Sequence, residues 1–304
     1  MNNIVIHGAS SFLGKSFINS LLTKNINILI VARSTSQIQN YESSPNITVI
    51  RYNKSISEID CQRLQATYPT FFDFSWNGVF GTDRNTPEQF TVNIPLIISS
   101  IEFATKLGVK HWIGVGSQAE YGSSKNIITE DDICNPTTMY GKSKLICSKI
   151  SSELCEAYNI EHSWLRLFSV YGPNDNHDWL IPYLIKEMLM DKDINVTKGE
   201  QIWDYLYIDD VSEVLFKLMH AKGVGIANLG SGQPIVIKDL IKKIKSLTNS
   251  NSNINFGAID YRSDQVMSML PNISKLKTHL NWEPKINLEI GLKDTIKSFK
   301  VLAR

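Results

Sequence analysis

A chain of 304 residues is long for one minimal core and short for two ordinary independent domains. With 42% hydrophobic and 20% charged residues, it has the composition of a globular protein that buries a sizeable core. A formal net charge of +1 offers no bulk field for nucleic acid or an anionic membrane, so an anionic ligand must be held by a local site.

The four cysteines, Cys61, Cys134, Cys147 and Cys155, form no CxxC pair and show no His/Cys metal spacing. They read as reduced, half-buried thiols, and no metal site is expected. The amino terminus, MNNIVIHGAS, lacks the basic start and long apolar run of a secretory signal. No stretch approaches ~18 uninterrupted apolar residues, so no membrane span is expected and the protein is placed in the cytoplasm.

Asn3–His7 is a short apolar run that breaks into glycine, the pattern of a strand buried on both faces of a parallel sheet. Phe12, Leu13, Phe17, Ile18, Leu21 and Leu22 then recur at helical spacing. Ile26–Arg33, Ile47–Tyr52 and Thr70–Trp76 read as the second, third and fourth strands. A long helix is predicted over Pro87–Leu107, with Pro95 inside it favouring a kink. Lys110–Ser117 is a fifth strand, Thr138–Tyr158 a helix and His162–Gly172 a sixth strand. This alternation predicts an α/β fold, a Rossmann-type, right-handed, doubly wound parallel sheet.

Beyond Gly172 the pattern loosens. Helices near Trp179–Met190, Asp209–His220 and Val236–Leu247 alternate with short strands such as Asp204–Ile208 and Gly225–Leu229, and Ser250–Phe256 reads as loop. The expected division is a dinucleotide-binding domain over 1–172, to which the chain returns at about 201–229, and a smaller, mainly substrate-binding lobe over 173–304.

Between the first strand and the first helix stands Gly8-Ala-Ser-Ser-Phe-Leu-Gly14, a glycine loop with Ser11 where a second glycine is usual. Gly8 permits a tight turn and Gly14 close packing of helix on strand. Serine is tolerable in the middle if its hydroxyl or amide contacts phosphate at the helix N-terminus. Ser10, Ser11, Phe12 and Leu13 are the expected cofactor neighbours. The second strand ends Ala32-Arg33-Ser34, without the acid that binds a ribose 2′-hydroxyl in NAD proteins. Arginine and a hydroxyl suit a 2′-phosphate, so NADP(H) is favoured, with NAD(H) the alternative if Arg33 is merely a solvated strand-end charge.

Tyr140 and Lys144, four apart in Tyr-Gly-Lys-Ser-Lys, lie on one face of the predicted helix. An ammonium nearby stabilises tyrosinate and lowers the phenol pKa, which makes Tyr140 a usable acid and base. The spacing alone is common on helix surfaces. Here the helix follows the segment Gly-Ser-Gln-Ala-Glu-Tyr-Gly at the fifth strand's carboxyl end, where ligands bind, and Ser117 in it can hydrogen-bond a substrate oxygen.

With these motifs together the chain resembles the extended short-chain dehydrogenase/reductases, the NAD-dependent epimerase/dehydratase family acting on nucleotide sugars. The likeness also takes in Asn93 in FTVNIPL, LRLFSVYGP, WDYLYIDDV and NWEP. It implies that Ser117 orients the substrate oxygen, Tyr140 transfers a proton and Lys144 holds the nicotinamide ribose and tunes Tyr140. It further implies that Asn93 supports the helix and cofactor site, that Tyr171, Gly172 and Pro173 line the cofactor–substrate junction, and that Gln118 and Asn174 face the substrate. Helices over Pro87–Leu107 and Thr138–Tyr158 pair across a two-fold axis in this family, so a homodimer is implied.

Three departures narrow the reading. Dehydratases of the family carry Thr-Asp-Glu where this chain has Ser117-Gln118-Ala119, and Glu120, one position late, reads as a solvated or structural carboxylate. Members that epimerise at C3 and C5 use a Cys/His pair. Ala119 stands at the cysteine position, and His177 alone reads as a loop residue. Where many members have Arg-Asp-aromatic, this chain has Trp203-Asp204-Tyr205, leaving Arg262 as the main candidate for the substrate diphosphate and Trp203 to pack on substrate or in the core. The resemblance therefore implies an NADPH-dependent reductase of a nucleotide-linked 4-keto-6-deoxyhexose, dTDP- or CDP-linked, in surface polysaccharide or O-antigen synthesis. The alternatives are a nucleotide-sugar 4-epimerase with tightly bound NAD, and a non-catalytic dinucleotide sensor.

Overall fold

Strand by strand, apolar residues point both ways, and this decides the layers. The computed structural model describes residues 2–64, 67–123, 127–262 and 265–302. Seven strands form one parallel sheet: β1 (Asn2–His7), β2 (Ile26–Arg33), β3 (Ile47–Tyr52), β4 (Thr70–Asp73), β5 (His111–Ser117), β6 (Glu161–Leu167) and β7 (Gly225–Leu229). Their spatial order is β7-β6-β5-β4-β1-β2-β3. On one face Ile4, Ile6 and Phe72 pack against Phe17, Ile18 and Leu21 of α1 (Phe12–Leu21). On the other, Val5, Leu29 and Phe71 pack against Ile97, Ile101 and Phe103 of α2 (Asn93–Lys106). A strand covered by helices on both faces is apolar on both, as Ile4–Ile6, Ile28–Ala32 and Phe71–Phe72 are.

The chain winds outward from β1 to β3 and then returns to β4, so the strand order reverses between β1 and β4. His7 pairs with Asp73 at that edge, and β5 runs three residues further, from the partner of Asp73, Gly114, to Ser117. Carboxyl ends at such a reversal leave a crevice open to ligands. Helix α3 (Met139–Ala157) lies beside α2.

After β6 the chain adds α4 (Leu180–Leu189), α5 (Ile208–Leu218), α6 (Ile237–Thr248), α7 (Ser274–Leu280) and α8 (Leu288–Leu302). Helix α5 packs on α1, with the Ser16 and Ser212 hydroxyls 3.3 Å apart. Two acids in the Trp-Asp-Tyr-Leu-Tyr-Ile-Asp-Asp stretch act as fasteners. Asp204, fully buried, accepts from the Ser231 amide at 2.6 Å and the Gln233 amide at 3.2 Å. Asp210 accepts from the Lys285 and Ile286 amides at 2.9 and 3.0 Å, which docks the segment after Trp282.

Several boundaries differ from the sequence reading. The long helix over Pro87–Leu107 is broken at Val92 into a turn, Glu88–Thr91, and α2. Pro95 then sits in the first turn of α2, where its missing N–H would have had no helical partner, and no kink is required of it. Strand β4 stops at Asp73 rather than Trp76, because the Asp73 carboxylate accepts from the Ser75 amide at 2.9 Å and turns the chain. The sixth strand stops at Leu167, and Val170–Tyr171 pairs separately with Leu206–Tyr207. Within the stretch read as loop, Ile254–Phe256 is a strand paired with Ile194–Val196. No helix among the described residues is long and apolar enough to cross a membrane.

Candidate active site

The loop Gly8–Gly14 opens the crevice. Gly8 has φ +83°, and a Cβ on it would lie 2.5 Å from the Phe74 carbonyl carbon. A Cβ on Gly14 would lie 2.5 Å from the Gly8 carbonyl oxygen, so α1 approaches β1 only because Gly14 lacks one. Ser11, by contrast, has φ −70° and needs no glycine. It is the N-cap of α1: its hydroxyl accepts from the Gly14 amide at 3.0 Å, and its own amide donates to the Gly8 carbonyl at 3.0 Å. Serine at this position therefore serves the loop itself. Ser10, Ser11, Phe12 and Leu13 line the crevice, while Gly14 is buried beneath them. The tight turn and capped helix N-terminus fit a dinucleotide pyrophosphate.

Below the loop, His7 Nδ1 lies 3.2 Å from Asp73 Oδ1, and His7 Nε2 lies 2.8 Å from the Tyr52 hydroxyl. Burial pushes the Asp73 carboxyl up, but His7 and the hydroxyls of Ser100 and Ser75 hold it below its ordinary range.

At the end of β2, Arg33 is exposed on the wall of the crevice, near enough to Tyr52 for its charge to oppose the rise of that phenol. Ser34 does not line the crevice: its amide is tied to the Tyr52 carbonyl at 2.8 Å, and Ser36 stands at the wall instead. Arg51 on β3 was missed. Its guanidinium donates to the carbonyls of Arg33, Ser34 and Ser36 at 3.1–3.3 Å and pairs with Glu42 at 2.7 Å. It holds the turn that presents Arg33.

Ser117 ends β5 and caps the turn Gln118–Glu120, accepting from the Ala119 amide at 3.2 Å. It also stands close enough to the Tyr140 phenol to pull its pKa down. Tyr140 is the second residue of α3, whose N-cap Thr138 accepts from the Gly141 amide at 3.1 Å. A Cβ on Gly141 would lie 2.3 Å from the Ala119 carbonyl oxygen, so this glycine is what lets α3 bring Tyr140 beside Ser117. One turn on, Lys144 donates to the Val115 carbonyl at 2.6 Å and stands 3.5 Å from the Trp76 ring centroid. Burial lowers the Lys144 ammonium to about 8, against the pull of Cys147, Glu120 and Asp73.

The expected pairing of the ammonium with the phenol is not what this geometry shows. Lys144 Nζ is 5.9 Å from the Tyr140 ring centroid, whereas Arg84 Cζ lies over that ring at 4.1 Å. Burial pushes the Tyr140 phenol up; Arg84 and then Ser117 pull it down, and Glu120 pushes it up. Arg84 comes from a short 3₁₀ turn, Gly81–Asn85, which has no periodicity to mark it in sequence.

Glu120 is fully buried and does not line the crevice. It accepts from the Ser117 amide at 2.8 Å, Trp164 Nε1 at 3.0 Å and Arg166 Nε at 2.7 Å. It is the structural carboxylate that its late position suggested. Asn93 is likewise buried and off the crevice wall. It accepts from the Asn77 amide at 2.8 Å and donates to the Asn77 carbonyl at 3.0 Å, clamping the loop after β4.

Gln118, Asn174, Trp203 and Arg262 also line the crevice. Trp203 is partly buried against the core and lines the crevice. Arg262 lies near enough to Arg84 for the two charges to oppose each other. Tyr171 lines the crevice, but Gly172 and Pro173 do not; a Cβ on Gly172 would strike Ile208. His177 packs on Phe299 with ring centroids 5.0 Å apart. Asp175, unremarked in the sequence, is the one carboxyl on the wall among the described residues, and burial raises it to about 7. The same residues show no His/Cys/Asp/Glu cluster able to hold a metal, and Cys147 and Cys155 are fully rather than half buried. The crevice measures about 2020 Å³, twice the roughly 1,000 Å³ upper end of single-ligand pockets, so it has room for a dinucleotide and a second molecule.

Chemically, the arrangement joins a buried phenol, a hydroxyl beside it and two cations at the open end of a parallel sheet. Among known proteins, the chain is similar to CDP-abequose synthase of Salmonella muenchen, 29% identical with 95% of each chain covered. It is similar also to UDP-glucuronate 4-epimerase of Thermodesulfobacterium geofontis, 30% identical over 80% of this chain and 79% of that protein. In fold it matches a Bacillus cereus UDP-glucuronic acid 4-epimerase solved with UDP-glucuronic acid and NAD, with a TM-score of 0.85, 23% identity and 99% of each chain covered. The model of the NAD dependent epimerase/dehydratase family matches residues 4–230, and the chain belongs to that family.

Proposed function

We propose that this protein is an NADPH-dependent reductase of the C4 keto group of a nucleotide-linked 4-keto-6-deoxyhexose, with CDP or dTDP as the nucleotide, in surface polysaccharide or O-antigen sugar synthesis. The observation that carries the reading is the burial of Glu120 against Arg166 and Trp164. No acid in the Ser117–Tyr121 segment is left to remove a proton from sugar carbon, while Ser117 and Tyr140 both stay on the crevice wall for a simple carbonyl reduction. The likeness to CDP-abequose synthase supports a deoxysugar substrate.

In this reading residues 1–172 with the return at 201–229 bind the cofactor, and 173–304 mainly the sugar nucleotide. Gly8, Ser10, Ser11, Phe12 and Leu13 hold the pyrophosphate, with Gly14 and Asn93 supporting from below. Arg33, with Ser36 rather than Ser34, meets the 2′-phosphate. A nicotinamide bound there supplies the hydride. Ser117 holds the keto oxygen, and the Tyr140 O–H bond breaks as its proton passes to that oxygen. The electron pair stays on the phenolate, which is reprotonated from solvent. Lys144 orients the ribose beside Tyr140. Arg262 takes the diphosphate, and Gln118, Asn174 and Trp203 face the sugar.

A specific observation favours a second reading, a 4-epimerase that retains NAD: a 4-epimerase is among the relatives, and solved proteins of this fold hold NAD. Presenting the purified protein with CDP-, dTDP-, GDP- and UDP-linked 4-keto sugars and NADPH separates the two. Consumption of NADPH with the CDP or dTDP member is the expected outcome, and none with any member would set the reductase aside.

We propose further that the protein is a homodimer formed through the outer faces of α2 and α3. Ile146 of α3 stands 38% exposed and Tyr158, at its end, 41%. Light scattering at micromolar concentration is expected to give twice the 34.4 kDa chain mass, and a monomer would contradict it.

A further inference from the structure

The nearest cation to the Tyr140 ring comes from outside the Ser-Tyr-Lys set. Arg84 Cζ stands 4.1 Å from the Tyr140 ring centroid, whereas Lys144 Nζ stands 5.9 Å away and is committed to the Val115 carbonyl and the Trp76 ring. We propose that Arg84 is a positioning residue for Tyr140: its guanidinium, laid on the phenol ring, fixes the ring and stabilises the tyrosinate left when the proton is given up. This rests on the reading of Tyr140 as the proton donor.

The placement is built. The 3₁₀ turn Gly81–Asn85 that carries Arg84 is tied at one end by Arg84 Nη1 to the Val79 carbonyl at 3.5 Å. At the other it is tied to α3 itself, by Asn85 Oδ1 accepting from the Met139 amide at 3.1 Å, next to Tyr140. Gln89 holds the base of the turn, donating to the Asp83 carbonyl at 3.0 Å. Trp76 meets Tyr140 edge-on, with centroids 6.0 Å apart and planes at 81°. The ring is thus held by an aromatic edge and a cation.

The charges around the phenol favour the same conclusion. From β5, Ser117 offers a hydroxyl; from the turn after it, buried Glu120 opposes ionisation but is neutralised by Arg166 at 2.7 Å. From its own helix, Lys144 is the more distant cation. From the crevice wall, Arg262 adds positive potential near Arg84. A cation on an aromatic face holds a neutral phenol by its quadrupole and a phenolate by full charge, so it favours ionisation.

The test is a pH titration of phenolate absorbance, read for each protein as the difference from its own Tyr140→Phe counterpart, which cancels the other tyrosines. The parent is expected to show a Tyr140 component, and Arg84→Met to move it upward by about one to three pH units. Arg84→Lys, which keeps the charge, is expected to stay within about one unit of the parent. Coincident midpoints for the parent and Arg84→Met, or a lower midpoint in Arg84→Met, would overturn the proposal. A rise in KM for the sugar nucleotide with an unmoved phenol midpoint would also overturn it, and make Arg84 a substrate phosphate ligand. The titration needs no turnover, so it fails separately from the reductase reading, which falls if Tyr140→Phe remains active.

Discussion

Tyr140→Phe is expected to lower turnover by ~10²–10⁴-fold, the usual contribution of a positioned general acid. The ring is 8% exposed, held edge-on by Trp76 and covered by Arg84, so phenylalanine fills the same space without disturbing α3. What is lost is the hydroxyl that Ser117 meets. Cofactor binding is expected to remain largely intact, because the Gly8–Gly14 loop and the end of β2 make no use of that hydroxyl. Steady-state turnover together with a cofactor-binding titration checks both halves. Activity within a few-fold of the parent would remove Tyr140 from the mechanism.

Arg33→Ala is expected to erase most of a preference for NADPH over NADH. A charge-assisted hydrogen bond to a 2′-phosphate contributes roughly 1.5–3 kcal/mol, which corresponds to about ten- to a hundredfold discrimination. NADH lacks that phosphate, so its use is expected to change little. The structure makes the substitution a clean one. The turn Arg33–Ser36 is held by Arg51 through backbone carbonyls, not through the Arg33 side chain, and Arg51 is itself fixed by Glu42. Specificity constants for both cofactors, in parent and variant, measure the effect. Equal use of the two by the parent would break the argument from Arg33.

The central sheet was legible because each strand is covered on both faces, and burial on both faces writes itself as an unbroken apolar run. Ile4, Val5 and Ile6 face alternate layers, yet none is exposed. The reversal between β1 and β4 followed from the alternation of strands and helices, and it located the crevice. Tyr140 and Lys144 were legible because a helix places residues four apart on one face. Other features depend on contacts far apart in the chain. Ile194–Val196 and Ile254–Phe256 are three residues each and pair across about sixty positions, so neither carries a strand's periodicity alone. Ser34 and Ser36 exchange places because Arg51, on the next strand, pulls three carbonyls toward itself. Arg84 meets Tyr140 only through the packing of a 3₁₀ turn on the start of α3. Gln118-Ala119-Glu120 shows the reverse case, in which an acid that looked displaced by one position proved to be a buried fastener.

The central claim, a reductase with an exchangeable cofactor, is tested most directly by counting hydrides. The protein is purified and assayed for retained nicotinamide. It is then incubated with NADPH and a CDP- or dTDP-linked 4-keto-6-deoxyhexose, while oxidised cofactor and reduced sugar are quantified together. The account predicts no stoichiometric cofactor after purification and one NADPH oxidised for each sugar reduced. NAD retained at one per chain, with interconversion of C4 epimers and no net oxidation of added NADPH, would contradict it and establish the epimerase.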